Sequence, residues 1–116
     1  MRWARLKRND AFSEVIQRGK SFVSPLVVLY VKKVDASEPC RVGFSVGKKV
    51  GPAVRRNYYK RVLREIFRKI EPHLRCGYEL VFIARPAIQT ASFSEIEGQV
   101  LTLLKKARLI VKEDER

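Results

Sequence analysis

The residues best suited to binding chemistry are the basic side chains between positions 41 and 69. This stretch holds ten lysines and arginines but only one acid, Glu65, so it supplies about +9 of the chain's net charge of +13. A surface that needs only solubility mixes both signs of charge, whereas one sign concentrated on one segment is typical of a polyanion site. We therefore predict that this segment binds phosphate groups.

A helix would sort the same segment into two faces. Gly51 and Pro52 suit its N-cap and first position, and Pro72 ends it. Apolar residues recur at helical spacing on one face, and cations form a row on the other. The apolar stripe is Val54, Tyr58, Tyr59, Val62, Leu63, Ile66, Phe67 and Ile70, and the basic row is Arg56, Lys60, Arg64 and Arg68.

Cations crowd the amino-terminal end of this predicted helix, where the helix dipole is positive. Lys48, Lys49, Arg55 and Arg56 lie there. Each charge costs about a few tenths of a kcal/mol at that end unless an anion binds, and a phosphate is such an anion. Asn57 adds a donor and an acceptor suited to bases or riboses. The alternative is a basic face that is merely solvated.

A longer pattern surrounds this helix. The run RVGFSVGKKVG spans Arg41 to Gly51, and RNYYKRVLRE spans Arg56 to Glu65. Together they resemble the signature of the bacterial ribonuclease P protein subunit, and the resemblance covers nearly the whole chain. Gly47 and Pro52 depart from the serine and asparagine common there, which affects only contacts of the loop that enters the helix. The core of the motif is matched by Arg56, Asn57, Lys60, Arg61 and Arg64.

The resemblance implies an RNA catalyst assisted by this protein. In that family the RNA subunit cleaves precursor tRNA to release the 5′ leader and expose the mature 5′ end. The protein binds the catalytic RNA and holds the leader in a cleft between the first helix and the sheet. The implied residues for the catalytic RNA are Lys48, Lys49, Arg55, Arg56, Asn57, Lys60, Arg61, Arg64 and Arg68. The implied leader cleft uses Phe12, Ile16, Tyr30 and Ser45, with Arg56 and Asn57 at its edge.

No catalytic constellation is visible in the sequence. Outside the tail the acids occur singly, whereas nuclease metal sites need clustered carboxylates. His73, the only histidine, follows a proline at a helix end and is a poor general base. Cys40 and Cys76 lack metal-ligand spacing and are expected to be reduced structural residues. We predict no catalytic residue, metal site or cofactor in the protein, and magnesium is implied for the RNA subunit alone.

The remaining patterns predict an α+β sandwich. A first helix runs from a cap at Asn9 or Asp10 to Arg18, with Gly19 as its left-handed terminator. Ser92 and Glu95 form a capping box that begins a last helix, with Phe93 on its apolar face. Strands are predicted at 26–31, 41–46 and 78–84, and the first and last are apolar on both faces, so helices should cover both sides of the sheet. In the second strand, small Gly43 and Ser45 leave room for a ligand backbone.

The expected order is αβββαβα, with a four-stranded mixed sheet. Base rates make a βαβ crossover right-handed in about 98% of cases. The resemblance implies the rare left-handed form, which we adopt.

At 116 residues and 46% apolar content, the chain suits one domain, 1–116. Residues 1–8 are predicted to be a flexible or loosely packed basic arm, 35–39 a turn, and 110–116 a solvated tail. No apolar run reaches the ~18 residues of a membrane span, and the basic start lacks an apolar signal region, so we expect a cytoplasmic protein.

Two other functions compete with the implied one. A small ribosomal or rRNA-binding protein would share the size and charge, although such proteins typically carry long basic extensions. A nuclease acting alone would need its own metal ligands. Under the main hypothesis the partners are the catalytic RNA and precursor tRNA, with neither a membrane nor a protein partner implied.

Overall fold

The computed structural model of the protein describes residues 3–35 and 40–111. The described residues form five strands and three helices in the order βαβββαβα. The strands are β1 (Trp3–Arg5), β2 (Lys20–Val23), β3 (Val27–Lys33), β4 (Cys40–Val46) and β5 (Tyr78–Ala84). The helices are α1 (Asn9–Arg18), α2 (Ala53–Ile70) and α3 (Phe93–Lys106), and short 3-10 turns cover Lys48–Val50, Glu71–His73 and Pro86–Thr90.

The strands form one mixed sheet in the order β1-β4-β5-β3-β2. Strand β4 is parallel to both of its neighbours, β1 and β5, while β3 is antiparallel to β5 and β2 is antiparallel to β3. The α+β class is confirmed, and the predicted count of four strands is wrong by one. The β4-α2-β5 crossover joins adjacent parallel strands. Its left-handed course stays a prediction.

The additional strand lies in the predicted basic arm. Trp3 pairs with Cys40 and Arg5 with Val42, in a parallel register. Trp3 is 2% exposed and Leu6 is 3% exposed. The prediction of a flexible or loosely packed arm is therefore wrong for the described residues 3–8, because two large apolar side chains in this basic segment are buried.

Helices cover both faces of the sheet, as predicted. Adjacent residues on a strand point to opposite faces. Leu80 and Phe82 of β5 accordingly belong to the main core with α2 and α3. Val81, between them, belongs to a small core with Leu6 and with Val15 of α1.

Four aromatic rings fix α2 above β1 and β4. The Phe67 ring centroid lies 5.5 Å from that of Trp3 and 5.9 Å from that of Phe44, both in edge-on geometry. Phe44 stacks on Phe82 at 5.7 Å. Such pairs add about 0.5–1.5 kcal/mol each beyond the area they bury. The basic face of α2 is thereby held in one orientation relative to the sheet.

Helix α1 ends at Arg18 as predicted, but the capping at both of its ends differs from the prediction. Arg8 is the N-cap residue and makes no side-chain capping bond, while the Asp10 carboxylate accepts a hydrogen bond from the Ala11 amide at 3.0 Å. Gly19 has an extended φ of −85°, so it is not a left-handed terminator. It is required for space, because an added Cβ would lie 2.5 Å from the Val15 carbonyl oxygen.

The start of α2 is one residue later than predicted. Pro52 is the N-cap residue, and Gly51, with φ +147°, ends the preceding 3-10 turn. The helix ends at Ile70, two residues before Pro72, as expected. The first two residues of the predicted apolar stripe are not buried, since Val54 is 81% exposed and Tyr58 is 49% exposed. The start of α2 therefore extends beyond the edge of the core.

The capping box of α3 is confirmed, and it holds the pKa of Glu95 below its usual value through hydrogen bonds with Ser92. Phe93 is exposed rather than part of the buried face. In the predicted tail, Ile110 pairs with Leu74 and is half-buried, so the solvated segment does not begin there. Residues 36–39 of the predicted turn and 112–116 of the tail lie outside the described residues. Among the described helices, none has the length and hydropathy of a membrane span.

Candidate nucleic-acid interface

The outward face of α2 carries cations without acidic partners. Burial of Tyr59, Leu63 and Phe67 turns this face away from the core. Arg61, Arg64 and Arg68 are exposed there, Arg56 and Lys60 are half-buried, and Lys48, Lys49, Arg55 and Asn57 are exposed at the helix start. Within the described residues, none of these eight cations forms an ion pair with a carboxylate. The face therefore presents nearly its full formal charge.

Two other cations of the basic segment are neutralised. Lys69 lies 2.7 Å from a carboxylate oxygen of Glu97, and Arg41 lies 3.3 Å from one of Glu79. Both therefore belong to local structural pairs. The strongest candidates for phosphate binding are therefore the eight unpaired cations between Lys48 and Arg68.

Like charges converge around Arg64. Burial, the nearby charge of Arg5 and then that of Arg61 all lower the pKa of Arg64. The guanidinium still keeps its proton, because arginine is not deprotonated in proteins. A bound phosphate would relieve this repulsion and accept hydrogen bonds from the guanidinium. The geometry therefore favours an anion at this point of α2.

A cleft of about 650 Å³ lies between α1, β4 and α2. Its apolar lining includes Phe12 and Ile16 of α1 and Phe44 and Val46 of β4, with the Ser45 side chain beside them. Its basic lining is Arg5, Lys7, Lys60 and Arg64, and no carboxylate of residues 3–35 or 40–111 lines it. Apolar walls with a basic rim suit a single strand of nucleic acid, whose bases stack while its phosphates pair with cations.

Phe12 reaches this cleft across β4. An added Cβ on Gly43 would collide with Phe12 Cζ and lie 2.8 Å from Phe12 Cε2. The space above Gly43, predicted to admit a ligand backbone, is therefore filled by the protein's own ring. Gly43 serves to let Phe12 lie close to the sheet, and Ser45 alone keeps the predicted place beside the cleft.

The structure brings together three of the residues predicted to bind the leader and separates the others from them. Phe12, Ile16 and Ser45 line the cleft. Tyr30 pairs with Val81 on the far side of β5 from β4 and packs against the small core under α1. Arg56 and Asn57 do not line the cleft either, and they begin the row that continues into it through Lys60 and Arg64.

Sequence reasoning missed the cations of the arm. Arg5 and Lys7 line the cleft because β1 fixes this segment beside β4. The available signal was Trp3 and Leu6, two large apolar residues in a segment otherwise rich in charge. Their burial predicts an ordered segment, and hence fixed positions for the neighbouring cations.

The amino-terminal part of α2 offers an exposed aromatic ring, Tyr58. The Arg61 guanidinium carbon lies 6.0 Å from the centroid of the Tyr58 ring, and the Tyr59 ring lies 5.0 Å from Tyr58. Tyr59 is buried and donates a hydrogen bond to the Gln89 carbonyl oxygen at 3.3 Å, which anchors the pair. An exposed ring beside a cation is suited to stacking on an unpaired base.

The acidic, histidine and cysteine side chains do not converge on any site within the described residues. No group of three or more of them lies close enough to hold a metal ion in residues 3–35 and 40–111. His73 is exposed in the 3-10 turn after α2. Cys40 is buried and accepts a hydrogen bond from the Gly77 amide at 2.9 Å, and Cys76 is exposed.

Comparison with known proteins identifies the family. The model of the family described as Ribonuclease P matches residues 1–108. The chain is 46% identical over 107 residues to the ribonuclease P protein component of Clostridium kluyveri, covering 90% of this chain and 95% of the relative. It is 41% identical over 106 residues to the component from Brevibacillus brevis, covering 91% of this chain and 84% of the relative.

Comparison with solved structures points to the same family. The RNase P protein of Staphylococcus aureus superposes with a TM-score of 0.83 at 30% identity, covering 91% of this chain and 96% of that one. The protein from Thermotoga maritima superposes with a TM-score of 0.79 at 31% identity, covering 89% and 96%. The family model, the relatives and the solved structures all point to the same family. The chain therefore belongs to the ribonuclease P protein family.

Proposed function

We propose that this chain is the protein subunit of a ribonuclease P whose catalyst is its RNA. It binds the catalytic RNA through the basic face of α2, and it holds the 5′ leader of precursor tRNA in the cleft beside α1. The complex removes the leader in the cytoplasm and leaves the mature 5′ end. The observation that carries this proposal is that Lys60 and Arg64 belong both to the basic face of α2 and to the cleft, and that no carboxylate of the described part of the chain pairs with them or lines the cleft.

The two surfaces perform different tasks. Cations on α2 contact phosphates, which sets position and orientation without reading sequence. In the cleft, Phe12 and Ile16 offer apolar surface on which unpaired bases can stack, with about 1–3 kcal/mol per base and little dependence on base identity. Leaders differ from one tRNA gene to the next, so tolerance of sequence is what the task requires.

The shared residues couple the two RNAs. A leader in the cleft lies against the same helix that binds the catalytic RNA, because Lys60 and Arg64 face both. Binding both RNAs to one rigid element turns their encounter into an effectively intramolecular event and raises the local concentration of the cleavage site. The protein thereby aids catalysis without touching the scissile bond.

The proposal assigns magnesium to the RNA subunit and no cofactor to the protein. Two RNAs brought together repel each other through their phosphates, and cations must compensate that charge. The protein's unpaired lysines and arginines supply part of that compensation. Less magnesium is then needed to bring the substrate to the catalytic RNA.

Without RNA the protein is expected not to cut precursor tRNA, because no described residue is placed to activate water. The measurement is turnover of labelled precursor in magnesium by protein purified under denaturing conditions and refolded, before and after addition of the catalytic RNA. Pretreatment with a nuclease that is then inactivated controls for residual RNA. Cleavage at the mature 5′ end that survives this pretreatment would refute the proposed division of labour.

A further inference from the structure

A second basic surface lies at the other edge of the sheet. A cavity of about 780 Å³ opens between the edge strand β2, the adjacent strand β3 and the end of α3. Phe22, Val31 and Ala107 contribute apolar lining. Its cations, which we call the edge cluster, are Arg18, Lys20, Lys32, Lys33, Lys106 and Arg108.

Acids neutralise only part of the edge cluster. Arg18 lies 3.9 Å and Lys32 3.0 Å from the same Glu14 oxygen, and Lys32 is also 3.8 Å from Glu79. The hydrogen bond and charge of Lys32 lower the pKa of Glu14, which keeps this carboxylate ionised. The other four cations, Lys20, Lys33, Lys106 and Arg108, form no ion pair within the described residues.

The edge cluster is separate from the surfaces proposed above. Strand β2 is three strands from β4 in the sheet order, or about 14 Å at the usual strand spacing. Phe22 and Val31 pack against the main core on the α3 side, whereas the leader cleft lies beside α1 on the opposite face. Neither the motif on α2 nor the cleft explains these cations.

Arg108 is the member of the edge cluster with the least structural justification. It has a φ of +59°, the only positive φ of a non-glycine residue in the described part of the chain. It follows α3 at the position where helices commonly have a left-handed glycine, and the Arg108 and Leu109 amides donate to the Lys105 and Leu104 carbonyl oxygens at 3.0 Å. A residue with a Cβ is strained there and glycine is not.

Purely structural roles explain three of the other cations better than they explain Arg108. Lysine on an edge strand such as β2 discourages pairing with another sheet, which suits Lys20. A cation in the last turn of a helix interacts favourably with the helix dipole, which suits Lys106 and Arg18. At position 108 a glycine would complete the same turn with less strain. A strained cation facing a basic cavity therefore indicates a ligand for its charge.

We infer that the edge cluster is a second RNA site, which binds the phosphodiester backbone through Arg108, Lys20, Lys33 and Lys106. The inference rests on the proposed function, because RNA is the polyanion that this chain is proposed to bind. The backbone belongs either to the catalytic RNA or to the part of a long leader beyond the cleft. In both cases the recognised chemistry is a row of phosphates.

Arg108→Gly separates the binding role from a structural one. Removing the strain is expected to raise Tm by about 2–4 °C. Removing one phosphate contact is expected to lower the log–log salt slope of RNA affinity by about 0.7–0.9. The triple variant Lys20→Ala, Lys33→Ala and Arg108→Gly should lower the slope by roughly 2–3. A residue that only shapes the turn would change Tm and leave RNA affinity unaltered.

Two control variants accompany Arg108→Gly and the triple variant. Lys105→Ala removes one exposed cation next to the cavity but outside its lining, so the slope should stay close to that of the parent chain. Arg108→Lys keeps the charge and the strain and should bind like the parent chain.

Two arms identify the source of the phosphates. In one, the variants bind a transcript of ribonuclease P RNA. In the other, the assembled holoenzyme binds precursor tRNA with a short or a long leader. Weaker binding in the first arm assigns the site to the catalytic RNA, and weaker binding confined to the long leader assigns it to the substrate. If Arg108→Gly and the triple variant match Lys105→Ala in both arms, the edge cluster is not an RNA site. Failure of the parent chain to bind either RNA would instead refute the proposed function.

Discussion

Replacing Arg61 and Arg64 together with alanine is expected to weaken binding to the catalytic RNA on the order of tenfold at moderate salt. Both guanidinium groups are exposed on α2 without an acidic partner among the described residues. Removal of each phosphate-binding cation should lower the log–log slope of affinity against salt by about 0.7–0.9, so the slope of the double variant should fall by about 1.4–1.8. The measurement is a titration of labelled RNA at several salt concentrations.

The same helix provides a matched control. Lys69 is exposed like Arg61, but it is paired with Glu97 at 2.7 Å. Lys69→Ala removes a cation that is already neutralised, so the salt slope should remain unchanged. Thermal unfolding of all three proteins checks the fold. An unchanged slope in a folded double variant would show that the basic face of α2 is merely solvated.

Phe12→Ala is expected to lower the affinity of the holoenzyme for precursor tRNA and to leave its affinity for mature tRNA unaltered. The ring lines the leader cleft, and removal of one stacked base corresponds to about 1–3 kcal/mol, or roughly 5- to 150-fold in Kd. Mature tRNA has no leader, so it cannot use this ring. Equilibrium binding of both RNAs to the same holoenzyme preparation gives the comparison.

Two further variants separate stacking from stability, because Phe12 also packs against the small core. Val15 lies on the same helix, is 0% exposed and belongs only to that core, so Val15→Ala should lower stability without discriminating between the two RNAs. Gly43→Ala keeps the Phe12 side chain but displaces its ring, and it should reproduce the selective weakening. Equal weakening on precursor and mature tRNA would make Phe12 an ordinary core residue.

The parts of the fold that the sequence predicted are those with long local patterns. Helix α2 spans 18 residues, long enough for two faces to be distinguished, and its basic row appears where the periodicity placed it. Strand β5, Tyr78–Ala84, has the predicted bounds because a mostly apolar run is flanked by Gly77 and Arg85. Strand β1 is only three residues long, too short for a period, and its burial depends on the packing of Trp3 against distant Phe67.

The site was predictable only in part, for a related reason. Phe12, Ile16 and Ser45 meet in the cleft, but the position of Tyr30 depends on strand order, which puts β5 between β3 and β4. The alternation of side chains along β4 identified the face with small residues at Gly43. It did not identify the Phe12 ring that fills the space there, because that ring comes from a helix about thirty residues earlier. Local patterns indicate which side chains are available, and the tertiary contacts decide which of them meet.

The most direct test of the central claim is cleavage of precursor tRNA by the catalytic RNA across a magnesium titration, with and without this chain. The protein is predicted to restore cleavage at the mature 5′ end at magnesium concentrations too low for the RNA alone, because its unpaired cations and leader cleft replace part of the metal's role in binding. The Arg61→Ala, Arg64→Ala variant should restore it less. An unchanged magnesium requirement, together with cosedimentation of the chain with ribosomes, would contradict the account and favour a ribosomal protein.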